Sequence, residues 1–218
     1  MPSWYKLSKI YVGADQVRPP VTYLLDYSTS FDSSDWWTRG SGISISWWQM
    51  QAQASTPRAY RTITPISPSA IKKITIEATI TWSGGSWSGG IYIWLQKDNT
   101  YNENGSNKVL LWANYTSDWG YDKSWPIIAT WWSYANSWVV DPYTTTKYSW
   151  TRLWKCDVDI ANAKSTLYID WTSVTSWTIS STKLSNFNSI SAFNYIFVAF
   201  DSTNASKSIQ DMHITVMW

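Results

Sequence analysis

The 218-residue sequence has one cysteine, Cys156, one histidine, His213, and two glutamates, Glu77 and Glu103. A lone thiol cannot close a disulfide within the chain, so no covalent framework holds it. Cys156 and His213 are the nearest thing to a zinc set, and two ligands do not make a structural zinc site. Charged residues are scarce at 15%, against about 25% in an average domain. The net charge is +2, and that near-balance excludes a protein organised around nucleic-acid phosphates. No apolar run approaches the roughly 18 residues of a membrane span. Met1–Pro20 has no apolar h-region, so no secretory signal is expected. Together with the absence of disulfides, this fits assembly in a reducing cytoplasm.

Glycine is also scarce, with nine residues, whereas there are 19 tryptophans and 14 tyrosines. Aromatic and β-branched side chains suit a pleated, half-buried surface, so the composition reads as sheet. The alternation supports this. Ile43–Ser46 and Gln49–Ala54 have period-2 patterns. In Ile71–Thr81, Ile74, Ile76, Ala78 and Ile80 share one face, and Lys73, Thr75, Glu77 and Thr79 the other. Further strands are expected at Ile91–Lys97, Lys108–Asn114, near Ile127–Trp132, and over Tyr148–Ile160, Lys164–Trp171, Tyr195–Asp201 and Ser206–Met217. No long segment of period 3.6 is present. At least eight strands separated by turns predict an all-β, two-sheet antiparallel β-sandwich, most simply a jelly roll, over residues 28–218. Residues 1–27 read as an extended N-terminal arm or, equally, as an ordinary edge strand plus linker, since Pro19-Pro20 forbids helix there.

Several stretches resemble the concanavalin A-like lectin/glucanase superfamily, including its laminin-G-like members. They are Phe31–Asp35, Ile43–Ile45, Ile74–Ile80 and Ser208–Val216, together with the segment from Trp150 to Asp157 followed by Leu167-Tyr168-Ile169-Asp170-Trp171. In that family the last five read Leu-Tyr-Ile-Asp-Gly. The resemblance covers roughly residues 30–217 and says more about fold than function. Lys9–Pro19 is similar to a short leader on phage and prophage structural proteins, which implies attachment to a particle.

The glucanases of that superfamily carry a Glu-x-Asp-x-x-Glu strand, and it is missing here. Glu77 has no second acid nearby and Glu103 sits in a turn. Asp157 and Asp159 are the one close carboxylate pair at strand spacing, facing the same way. They read more simply as a solvated hairpin edge. His213 lies among alternating apolar residues, and there is no nucleophile elbow, so it reads as structural. No enzyme is expected.

A binding surface is the better expectation. Aromatic rings cover the apolar faces of sugars, while amides and carboxylates take the hydroxyls. Tyr92, Trp94 and Gln96 project on one side of their strand, and Trp112 and Asn114 on the next, with Tyr115 and Asp118 beyond. These seven residues form the candidate carbohydrate site, against the plain alternative that they pack in a second core layer. No cofactor is required. Calcium is left open, because Asp-rich loops such as Asp98–Asn102 or Asp118–Asp122 offer oxygen ligands, with no complete ligand set to name.

Several tryptophans stand where turns ask for glycine. Trp171 occupies the family's Gly position, Trp87 interrupts a glycine-rich run, and Trp36, Trp47 and Trp177 lie beside expected turns. A bulky residue at φ > 0 is an outlier, and glycine is at ease there. A UGA codon read as glycine by the source would account for both the tryptophan excess and the glycine deficit. It would also bring Trp94 and Trp112 into question. Well-packed rings in ordinary strand geometry would argue for true tryptophan.

The leading expectation is a non-catalytic, virion-associated protein of phage tail or fibre type, whose lectin-like sandwich binds a glycan or host-surface receptor. It would contact other virion proteins, form a homo-oligomer, and be assembled in the host cytoplasm. A purely structural capsid or decoration protein is the second expectation, and a glycan-cleaving enzyme the third.

Overall fold

Alternation along the chain becomes a two-layer sandwich in a computed structural model. The structure describes residues 21–32, 37–40, 42–46, 48–52, 58–83, 89–99, 108–116, 121–129, 151–200 and 206–218. The first half runs β1 (Tyr23–Thr29), β2 (Thr38–Arg39), β3 (Ile43–Ser46), β4 (Gln49–Ala52), β5 (Arg58–Ile66), β6 (Lys73–Ser83) and β7 (Gly89–Gln96). Then come β8 (Lys108–Thr116), β9 (Tyr121–Ala129), β10 (Thr151–Asp159), β11 (Lys164–Ile169) and β12 (Thr172–Thr178). A nine-residue helix, α1 (Ser181–Ser189), precedes β13 (Phe193–Phe200) and β14 (Ser206–Met217).

One sheet has eight strands in the order β12-β11-β10-β6-β14-β4-β3, with β1 also paired to β14. The other has six, in the order β2-β5-β13-β7-β8-β9. The ladders within both sheets are antiparallel. The fold is therefore the all-β, two-sheet antiparallel sandwich that the alternation predicts.

β6 is the central strand. Ile74, Ile76, Ala78 and Ile80 are fully or almost fully buried, and register sets them opposite Val158, Cys156, Trp154 and Arg152 of β10. On its other side, Ile74, Ile76 and Ala78 face Val216, Ile214 and Met212 of β14. Ile91, Ile93 and Leu95 of β7 join the same cluster from the six-stranded sheet, as do Ile196, Val198 and Phe200 of β13. Two inner faces thus interdigitate over one aliphatic interior.

Several elements depart from expectation. β5 carries Pro65, which removes a ladder donor and masks the strand pattern. β12 is polar apart from Val174 and Trp177 and shows no apolar alternation, and α1 is too short to display helical periodicity. Tyr23–Tyr27, read as the end of the arm, belong to β1 and pair with Ile214–Met217. Residues 1–20 lie outside the described residues.

Ile76→Ala should cost about 2–5 kcal/mol, because the buried site cannot collapse fully around the smaller side chain; chemical denaturation measures it. Cys156 is buried, and desolvation pushes its thiol far above its ordinary value of 9.0, with Asp157 adding to the shift. The native thiol stays protonated while the unfolded one ionises, so this contribution is intact below pH 9.0 and lost progressively above it. Stability of the native chain should fall more steeply above that pH than stability of Cys156→Ala. Native Cys156 should also resist alkylation at neutral pH, reacting only after unfolding.

Candidate functional site

Two outward faces carry the chemistry. On the six-stranded sheet, alternation turns Tyr92, Trp94 and Gln96 away from the aliphatic core, as expected from sequence. Tyr92 and Trp94 enter a second apolar cluster with Phe197 and Ala199 of β13, against which Tyr60 and Tyr195 pack. Trp94 lies flat on Phe197, with centroids 5.2 Å apart and 10° between planes. Tyr60 stacks on Phe197 at 5.3 Å and meets Tyr195 edge-on at 5.7 Å. The Trp94 indole N–H donates to Gln96 Oε1, and Gln96 Nε2 donates to the Asp98 carbonyl at 2.9 Å. Tyr92, Trp94 and Gln96 are only 5, 2 and 5% exposed. Trp94 and Gln96 are thus committed to each other, to Phe197 and to the Asp98 carbonyl, which is the second-layer arrangement.

The other expected site residues are placed by register alone. Trp112 pairs with Tyr92, Asn114 with Gly90, and Tyr115 with Gly89, one step out of phase with them. Asp118 lies outside the described residues, as do 100–102 and 118–120 of the two oxygen-rich segments. Among the described residues, no group of three His, Cys, Asp or Glu side chains could hold a metal ion.

The outer face of the eight-stranded sheet is different in kind. Register aligns Ser28 of β1, His213 of β14, Glu77 of β6, Lys155 of β10 and Tyr168 of β11 in one row across five strands. The next row runs Asp211, Thr79, Leu153. Over these rows lies a groove of about 450 Å³, lined by Ser28, Ser30, Glu77, Thr79, Asp211 and His213, with Leu153 and Trp171 at its side. That volume falls within the range of small-ligand sites, about 300–1,000 Å³.

Most charges bordering the groove are already committed. Asp26 Oδ1 accepts a hydrogen bond from His213 Nε2 at 2.7 Å, which orients the ring. Asp157 binds Lys73 Nζ and Thr75 Oγ1, both at 2.8 Å. Arg152 pairs with Asp170 at 2.8 Å. Lys155 Nζ sits over the Tyr168 and Trp171 rings at 5.4 and 5.5 Å. Glu77 and Asp211 have no ion pair or hydrogen bond to another described residue. They are the acceptors the groove leaves unspent.

The Asp157/Asp159 pair is structural. Asp157 is held as above, and Asp159 accepts from the Asn162 backbone N–H at 2.9 Å and its Nδ2 at 2.8 Å, capping the β10–β11 turn. His213, read as structural from sequence, instead lines the groove. The missed signal was the pairing of β6 with β14. Glu77 looks isolated along the chain, and only their register brings Asp211 and His213 beside it.

No family model and no curated protein matches the chain. Solved structures do. A mutant of the Emp46p carbohydrate recognition domain is 14% identical with a TM-score of 0.56, covering 82% of this chain and 87% of that one. A conserved carbohydrate esterase from the Shiga toxin-encoding bacteriophage phi24B is 13% identical with a TM-score of 0.57, covering 90% and 99%. The VIP36 exoplasmic/lumenal domain in its Ca2+/Man3GlcNAc-bound form is 9% identical with a TM-score of 0.57, covering 89% of each. These likenesses establish a concanavalin A-like sandwich and nothing finer.

Replacing Trp94 with alanine should cost about 3–5 kcal/mol, as for other buried large aromatics. Denaturant unfolding should show this loss, whereas an exposed binding platform would leave stability unchanged.

Proposed function

We propose that this chain is a non-catalytic, glycan-binding module, and that the groove on the outer face of the eight-stranded sheet receives the sugar. One observation carries the reading: two unspent carboxylates, Glu77 and Asp211, converge with the Ser28, Ser30 and Thr79 hydroxyls and the oriented His213 in one open groove. Sugar hydroxyls need such a mixed set of donors and acceptors, since an unpaired polar group at an interface is costly. The sandwich of the Emp46p and VIP36 domains supports the reading by analogy of fold.

Charge narrows the class of glycan. Glu77, Asp211 and Asp26 outnumber the histidine they surround, so the groove favours neutral or amine-bearing sugars over sialylated or sulfated ones.

The finer reading places the module on a phage particle, as a homo-oligomeric tail or fibre component assembled in the host cytoplasm. The resemblance of Lys9–Pro19 to a phage leader supports it, as does a sandwich shared with a bacteriophage protein.

Glycan-array screening followed by titration calorimetry tests the function. The expected result is selective binding of uncharged or amino glycans. Glu77→Gln combined with Asp211→Asn should weaken it at least tenfold without moving the melting temperature. Failure to bind any glycan by folded protein would return the chain to a purely structural role, and reducing-end release would make it an enzyme.

A further inference from the structure

We infer that Trp48 and Trp171 are glycines in the protein as its source makes it, the codon UGA being read as glycine at these positions. The inference rests on backbone geometry and is independent of the glycan reading.

Both residues occupy hairpin turns with the glycine conformation. Ser46 pairs with Gln49, so two residues connect β3 to β4, and Trp48 has φ 63°. Ile169 pairs with Thr172, so Asp170-Trp171 connect β11 to β12, with φ 48° and 69°. Two central residues with positive φ define a type I′ hairpin, whose preferred sequence is Asn-Gly or Asp-Gly. Asp170-Trp171 is therefore an Asp-Gly turn in every respect except its second side chain. Gly42, at φ 87°, is a glycine in the same backbone region.

Positive φ in a bulky residue persists only where surrounding contacts over-determine it. The other cases meet that condition: Ala163, at φ 51°, packs partly buried against the core, and its carbonyl accepts from the Ile179 N–H at 2.7 Å. Phe31, at φ 55°, is buried against Trp37, and its N–H donates to Thr29 Oγ1 at 2.9 Å. Asp170 accepts from the Leu153 N–H at 3.1 Å and from Arg152. By contrast, Trp48 is 62% exposed and Trp171 66%. Trp48 has no ring contact with another described residue. Among the described residues, Trp171 has only the Lys155 ammonium at 5.5 Å, and that ammonium already lies over Tyr168. No burial offsets the strain at either position.

The recoding is selective. Trp37, Trp94 and Trp154 are buried, none has positive φ, and Trp94 stacks on Phe197. These read as true tryptophans, encoded by UGG. Trp177 lies within β12, paired with Ser165, and not in a turn. Trp36, Trp47 and Trp87 lie outside the described residues. The overall count of 19 Trp against nine Gly is what a mixture of the two codons produces. With glycine at 171 the groove loses one side wall, but Glu77, Asp211, His213 and Thr79 remain.

The decisive measurement is the mass of the peptides spanning residues 48 and 171 in protein isolated from its source. Both should be lighter by the difference between an indolylmethyl group and a hydrogen, while the peptide containing Trp154 keeps its tryptophan mass. Finding tryptophan at 48 or 171 overturns the inference. Independently, Trp48→Gly and Trp171→Gly in the recombinant chain should each raise the melting temperature by about 2–4 °C, the shift expected from relieving modest strain in a domain of this size. Trp154→Gly should lower it sharply. A fall in melting temperature for Trp171→Gly would count against a glycine position.

Discussion

The register of β6 between β10 and β14 is the constraint on which the molecule turns. Side chains alternate with a period of two, so a slip of one residue would send Ile74, Ile76 and Ile80 to water and Lys73, Glu77 and Thr79 into the interior. The cost is the burial of the aliphatic set, each side chain contributing about 1.5–3 kcal/mol, plus the penalty for burying charge without a partner. Two long ladders hold the register, nine pairs to β10 and eleven to β14. Whatever faces outward on this sheet is thereby placed with equal firmness. The row from Ser28 through His213 and Glu77 to Lys155 and Tyr168 is the reverse side of the core.

That outer face sorts its charges by position. Where a lysine and an acid fall in adjacent rows they pair, as Lys73 and Asp157 do, and a threonine supplies the second oxygen with its donor. Partly exposed pairs of this kind contribute modestly, at most about 1 kcal/mol, and their main effect is to hold side chains in one geometry. Lys155 stands opposite Glu77 in register, yet its ammonium turns to Asp157 at 3.8 Å and to the Tyr168 and Trp171 rings. Glu77 is left without a cation because its neighbour has better company. Asp211 follows the irregularity between Ile209 and Asp211, where β14 shifts register against β6. A bulge re-aims the side chains beside it, and here the re-aimed residue is a carboxylate at the groove.

Much of the sandwich was legible in the sequence because its central strands alternate cleanly. β3 and β6 have apolar residues at every second position, and β10, β11 and β14 do so over most of their length, β14 breaking step at its irregularity. β5 and β12 were illegible for opposite reasons. The first contains a proline that reads as a break, and the second is nearly uniformly polar. The site was less legible than the fold. Tyr92, Trp94 and Gln96 do share a face, but sequence cannot tell an outward face that is open from one that is covered, and here the Trp94 ring is spent on Phe197 and all three side chains are buried. Glu77 and His213 were visible as isolated residues 136 positions apart in the chain, a separation that only strand pairing removes.

The tryptophans divide along a physical line that composition cannot draw. A buried indole such as Trp154 contributes the transfer of a large apolar surface, and it does so in extended geometry that every residue adopts. An exposed indole at a hairpin tip contributes little burial and bears the steric penalty of the left-handed region, which glycine escapes by having no Cβ. The two classes therefore differ in sign. One tryptophan stabilises the sheet it sits in, and the other works against the turn that closes it. A shallow groove whose wall retracts would hold a sugar through hydrogen bonds to Glu77, Asp211 and Thr79 more than through ring stacking, and single contacts of that kind are worth about 0.5–1.5 kcal/mol each. Affinity at one such site is modest by construction. On the proposed reading, useful attachment comes from many copies presented together, where the second and later contacts form at high effective concentration.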